Sequence, residues 1–113
     1  MQFAPYLSRR LMQTAILGFT AFPSISTACW TDAEHLYGVS SHLLYAVARA
    51  ESGLNAGAVN LTHRARTGTY DIGLMQINSS HLPRLGRLGI SESDLYDPCT
   101  NIKVGAWLLA DSF

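Results

Sequence analysis

Glu51 closes the apolar stripe of a helical segment. At 100° per residue, Leu44, Val47, Ala48 and Glu51 fall within about 100° of one another, so the carboxylate extends the apolar face. It also stands in the last turn, where the negative end of the helix dipole disfavours a carboxylate. Desolvation and dipole both favour the protonated acid, the form that general-acid attack on a glycosidic bond requires. The competing reading is a helix-end glutamate that turns to solvent or pairs with Arg49 or Arg64. A two-carboxylate hydrolase needs a second fixed acid. Asp71 is the nearest candidate, and it serves equally well as a helix N-cap. Other constellations are poor. The four histidines (His35, His42, His63 and His81) show no HExxH or CxxC-type spacing, so no metal site is expected. Ser79, Ser80 and His81 lack the G-x-S-x-G elbow of a serine hydrolase.

The elements that must hold Glu51 are short and mostly helical. Thr31-Asp-Ala-Glu34 reads as a capping box that opens a helix ending at Gly38. Ser40 or Ser41 caps a second helix through Glu51, which Gly53 stops. Residues 61–70 are polar and read as a loop, with room for a small hairpin near Tyr70. A short helix is expected over Leu74–Asn78, and Ser91-Glu-Ser-Asp94 opens a further brief turn. Asp97-Pro98 pairs an N-cap with proline at the first helical position, starting a last helix that packs Ile102, Ala106 and Leu109. Trp30, Tyr37, Tyr45 and Trp107 fit core positions better than sugar-stacking ones. The fold class is mostly α.

The chain has 113 residues, enough for one small domain and too few for a (β/α)8 barrel. Arg9 and Arg10, the 12-residue apolar run Leu11–Phe22, Pro23 and the small residues Ser26 and Ala28 form the parts of a secretory signal peptide over 1–28. The run is short for a spanning helix, and a retained anchor is the alternative. Removing the segment leaves residues 29–113, with 6 basic against 8 acidic residues. That balance gives no support to nucleic-acid binding. Export places Cys29 and Cys99 in an oxidising compartment, where an even count suggests a disulfide; two free thiols are the other reading.

Glu51-Ser-Gly-Leu-Asn55 followed by Gly73-Leu-Met-Gln-Ile-Asn78 closely resembles the soluble lytic transglycosylase (SLT) family, of goose-type lysozyme-like fold. Ala58-Val-Asn60, Tyr70-Asp-Ile72, Asn78-Ser-Ser-His81 and Asp97-Pro-Cys99 make the match closest to the small specialised enzymes of type III and type IV secretion and conjugation systems. The resemblance covers 29–113. It implies that Glu51 is the catalytic acid, with Ser52 as the small polar residue beside it. It implies that Gln76 and Asn78 line the glycan cleft, with Met75 as an apolar wall and Tyr70 at the edge. The implied reaction cleaves the β-1,4 bond between N-acetylmuramic acid and N-acetylglucosamine in peptidoglycan, leaving a 1,6-anhydro end. It needs no cofactor, and a monomer on peptidoglycan strands is expected in the periplasm.

One departure stands out. The family's third motif, an Ala-Tyr-Asn-Ala-Gly-like segment whose tyrosine contacts the catalytic acid, has no counterpart before Phe113. The lysozyme-like domain is therefore expected to be C-terminally short. Three readings stay open: a truncated product, a degenerate copy that binds peptidoglycan as a scaffold, or a compact form completed by a partner. Hydrolytic lysozyme activity on the same bond differs from the first expectation only in the acceptor.

Overall fold

Capping chemistry lays out the helices of the computed structural model, which describes residues 25–113. Helix α1 (Thr27–Tyr37) starts at Ser26, whose hydroxyl accepts the Ala28 N–H, and ends at Gly38 in the left-handed conformation. The expected capping box does not form. Thr31 lies inside α1 and donates back to the Ala28 carbonyl at 3.2 Å. Glu34 instead reaches forward and accepts the Ser41 N–H at 3.0 Å, across the corner. The Ser41 N–H, and then its hydroxyl, hold the Glu34 carboxyl below its ordinary value. Helix α2 (Ser41–Ser52) is capped by Ser40 and stopped by Gly53, as the sequence predicts. The first 24 residues of the expected signal segment lie outside the described residues, and residues 25–28 form the cap and first turn of α1.

A small antiparallel sheet follows, in the order β1 (Val59–Asn60), β2 (Asp71–Ile72), β3 (Ile77–Asn78). The hairpin expected near Tyr70 is present, and within residues 61–70 there is one turn of helix, α3 (Arg64–Thr67). The helix expected over Leu74–Asn78 is absent. Gly73 (φ 76°) and Gln76 (φ 55°) turn the chain back, so that Ile77 pairs with Ile72 and Asn78 with Asp71. A 3-10 turn (Ser79–His81), helix α4 (Leu82–Arg87) and a second 3-10 turn (Ser93–Tyr96) lead to helix α5 (Pro98–Asp111). Asp97 caps α5 by accepting the Thr100 N–H. Ser91 and Asp94 cap one another reciprocally, the Ser91 N–H donating to the carboxylate at 2.8 Å.

Leu44 and Ala48 of α2, Ile72 and Leu74 of the hairpin, Leu85, Leu95, and Ile102 and Ala106 of α5 form the fully buried core. Helix α1 packs along α5, and Cys29 is disulfide-bonded to Cys99 with 5.1 Å between Cα atoms, within the ordinary range for such a bond. Trp30 is core, whereas Tyr45 is exposed and meets the Trp30 ring edge-on at 5.4 Å.

The centre of this packing is polar. Asn101 is fully buried, and its Oδ1 accepts the Met75 N–H at 2.7 Å. Its Nδ2 donates to the carbonyls of Leu95 (2.8 Å) and Ile72 (3.1 Å). This one side chain therefore fixes the 73–76 turn to α5. Gly73 packs so closely that a Cβ there would strike Asn101 and the Leu95 carbonyl. Asn101→Leu strands three buried backbone groups, at about 1–3 kcal/mol for each unsatisfied group. The expected loss is about 3 kcal/mol or more, read as a fall in the denaturant midpoint.

Candidate active site

The end of α2 faces the β2–β3 turn because Ser52 ties them together. Its hydroxyl donates to the Leu74 carbonyl at 2.6 Å and accepts the Asn55 N–H at 3.1 Å. Glu51 thereby stands opposite Met75 and Gln76. A cleft of about 290 Å³ opens between them, lined by Val47, Glu51, Met75, Gln76, Ile77, Asn78, His81, Gly105, Leu108 and Leu109. Four side chains expected from the sequence thus meet in one place: Glu51, Met75, Gln76 and Asn78. Ser52 is beside the cleft as a strut. Tyr70 is outside the lining. Its hydroxyl donates to Glu92 at 2.6 Å, a contact that, with burial, raises the hydroxyl above its ordinary value.

Glu51 differs from expectation in one respect. The stripe is real, since Leu44 and Ala48 are fully buried and Val47 half-buried, but its last position opens onto the cleft and Glu51 is exposed. Burial by the chain's own core does not desolvate it. Among the described residues it has no ion-pair partner and no side-chain hydrogen bond, so pairing with Arg49 or Arg64 is not formed. The carboxyl is free to meet a ligand.

Asp71 is already engaged. It begins β2, not a helix, and its Oδ2 is 2.7 Å from His63 Nε2. Its Oδ1 accepts from Asn78 Nδ2 at 2.9 Å. Burial pushes this carboxyl up, but the hydrogen bonds from His63 and Asn78 outweigh it and hold the group below its ordinary value.

Sequence reasoning did not place His81 or α5 at the cleft. His81 follows β3 by one 3-10 turn, so the Asn78-Ser-Ser-His81 run carried the signal. Leu108 and Leu109 form an apolar wall, although Leu109 reads in the sequence as a core position. Gly105 is required beneath it: a Cβ there would lie 2.8 Å from the Met75 methyl carbon. The glycine lets Met75 settle onto α5 as the cleft floor.

A helical domain with a small three-stranded sheet, its hairpin facing a helix-end glutamate across an open cleft, is a lysozyme-like transglycosylase fold. The family profile of the transglycosylase SLT domain matches residues 28–113, and the chain belongs to that family. It is 48% identical over 92 residues to invasion protein IagB of Salmonella typhimurium, covering 78% of this chain and 56% of that protein. Protein IpgF of Shigella flexneri is 43% identical over 82 residues, covering 72% of this chain and 52% of that protein. A peptidoglycan-binding-like protein of Escherichia coli O157:H7 is 38% identical over 93 residues, covering 78% and 56%. The chain spans about half the length of the curated relatives it matches.

Proposed function

We propose that this chain is a lytic transglycosylase that cleaves the MurNAc-β-1,4-GlcNAc bond of peptidoglycan and leaves 1,6-anhydro-MurNAc ends. The observation that carries this reading is the unpaired Glu51 on the cleft it shares with Gln76 and Asn78, in a domain of the SLT family. Glu51 protonates the leaving glycosidic oxygen. As a carboxylate it then takes the proton of the muramyl 6-hydroxyl, whose oxygen attacks the anomeric carbon. One carboxyl is acid and then base. Among the described residues Glu51 is the one carboxylate in the cleft lining, whereas two-carboxylate hydrolysis requires a pair flanking the bond. A glycan filling the cleft displaces water from Glu51 and supplies the desolvation that the protein core does not.

The reading places the protein in the periplasm, reached through the 1–28 segment. Among the described residues no helix is long and apolar enough to cross a membrane. A local opening of the wall for a secretion or conjugation apparatus is part of this proposal, and the relative named as an invasion protein is in keeping with the secretion role. The relative named as peptidoglycan-binding-like favours a second reading, binding without turnover. Incubation of the oxidised protein with purified peptidoglycan, followed by mass spectrometry of soluble fragments, tests the choice. Anhydro-muropeptides are expected. Reducing ends would instead indicate a lysozyme, and binding without fragments a scaffold.

A further inference from the structure

The amide of Asn78 is held in one orientation. Its Nδ2 donates to Asp71 Oδ1 at 2.9 Å and to Thr69 Oγ1 at 3.1 Å, and its Oδ1 accepts the Ser80 N–H at 3.1 Å. An ionised carboxylate only accepts and a backbone N–H only donates, so exchanging the two ends of the amide would break contacts on both sides. Both amide hydrogens are spent. What Asn78 retains for a ligand is a lone pair on Oδ1. Gln76 is similar: its Nε2 donates to the Gly73 carbonyl (3.0 Å) and the Ala58 carbonyl (3.3 Å), which leaves its oxygen. These two side chains therefore offer the cleft acceptors and no free amide hydrogen.

Asp71 shares with Ser80 in holding this amide, and Asp71 is itself held by His63. His63 Nε2 is 2.7 Å from Asp71 Oδ2, while Nδ1 is 2.8 Å from Thr67 Oγ1, within the turn of α3. The imidazole is thus clamped at both nitrogens, with the pair only about one-fifth exposed. His63 does not line the cleft. It touches a residue that touches a residue that does.

We propose that His63 is a positioning residue, which through Asp71 fixes Asn78 as a hydrogen-bond acceptor and so selects glycans presenting a donor there, an acetamido N–H or a hydroxyl of an amino sugar. This inference rests on the reading of the cleft as a glycan site. If His63 is replaced by leucine, Asp71 loses its clamp, and Asn78 keeps the polarity that the Ser80 N–H imposes but loses the rigid partner that holds its amide in place. KM for peptidoglycan fragments is then expected to rise about three- to tenfold, the worth of one neutral hydrogen bond, with kcat changing less than twofold. His63→Gln, whose amide can still donate to Asp71, is expected to recover most of the loss.

The full oxidised chain is compared as wild type, His63→Leu, His63→Gln and each leucine or wild-type form combined with Asp71→Ala. Three readouts are taken: the KM and kcat split, affinity for the N-acetylglucosamine tetramer, and the side-chain amide resonances of Asn78. Support is a weaker tetramer affinity and a moved Asn78 amide in His63→Leu, rescue in His63→Gln, and no further effect of His63→Leu once Asp71 is alanine. A folded His63→Leu protein with KM, affinity and amide unchanged overturns the proposal, as does an equal penalty with Asp71 absent. Should the leucine variant not fold, His63→Ser is read by the same criteria. If the wild type releases no fragments, the transglycosylase reading fails, while tetramer affinity and the Asn78 amide still decide the role of His63.

Discussion

Glu51→Gln is expected to lower the release of anhydro-muropeptides by at least ~100-fold, the lower end of what one general acid-base group contributes, while glycan binding persists. The substitution keeps the shape of the side chain and, in the proposed mechanism, removes the proton that the leaving oxygen receives. Its structural cost should be small. Glu51 is exposed, with no ion pair or side-chain hydrogen bond among the described residues to lose. Substitutions at such positions usually change stability by no more than about 0.5 kcal/mol. The thermal midpoint should therefore stay where it is. This separation makes the experiment decisive, because Asp71→Asn does not share it: that change disturbs the contacts of His63 and Asn78 together. A Gln variant with full turnover removes Glu51 from the mechanism. A Gln variant that loses turnover and also tetramer affinity shows that the carboxylate binds the glycan instead of protonating it.

The sequence was most legible where chemistry is local. Gly38 and Gly53 stop helices because a residue without Cβ enters the left-handed region easily, and the structure has both there. Ser40 and the Asp97-Pro98 pair cap their helices for reasons contained within four residues. Glu34 was misread because its partner is the N-terminus of the next helix, seven residues on. Leu74–Asn78 was misread because Leu, Met and Gln are good helix formers, and nothing nearby reveals that Asn101, 26 residues beyond Met75, captures the backbone of that turn. The face of α2 carrying Glu51 was correct, yet whether that face meets core or cleft depends on where the hairpin and α5 stop. Periodicity does not encode that. The His63–Asp71–Asn78 chain was equally hidden, since it exists only once the turn of α3 brings His63 back over β2.

Loss of the Cys29–Cys99 bond is expected to be the largest single stability effect in the molecule. The two cysteines sit in the first turns of α1 and α5 and are 70 residues apart, so the bond encloses α2, the whole sheet and Glu51. A loop of that length is worth about 4 kcal/mol in the chain-entropy account. In a domain of this size that corresponds to a fall in Tm of roughly 15 °C or more. The bond anchors the first turn of α5, the helix that supplies Leu108, Leu109 and the Gly105 surface on which Met75 rests. Scanning calorimetry of the oxidised chain, the chain reduced with dithiothreitol, and the Cys29→Ser/Cys99→Ser double variant separates the bond from the residues. Equal falls in the last two assign the effect to the bond. If neither Tm moves by more than about 3 °C, less than the shift that 1 kcal/mol produces in a domain this small, the packing of α1 along α5 holds without the bond. The disulfide is then not what keeps the walls of the cleft in place.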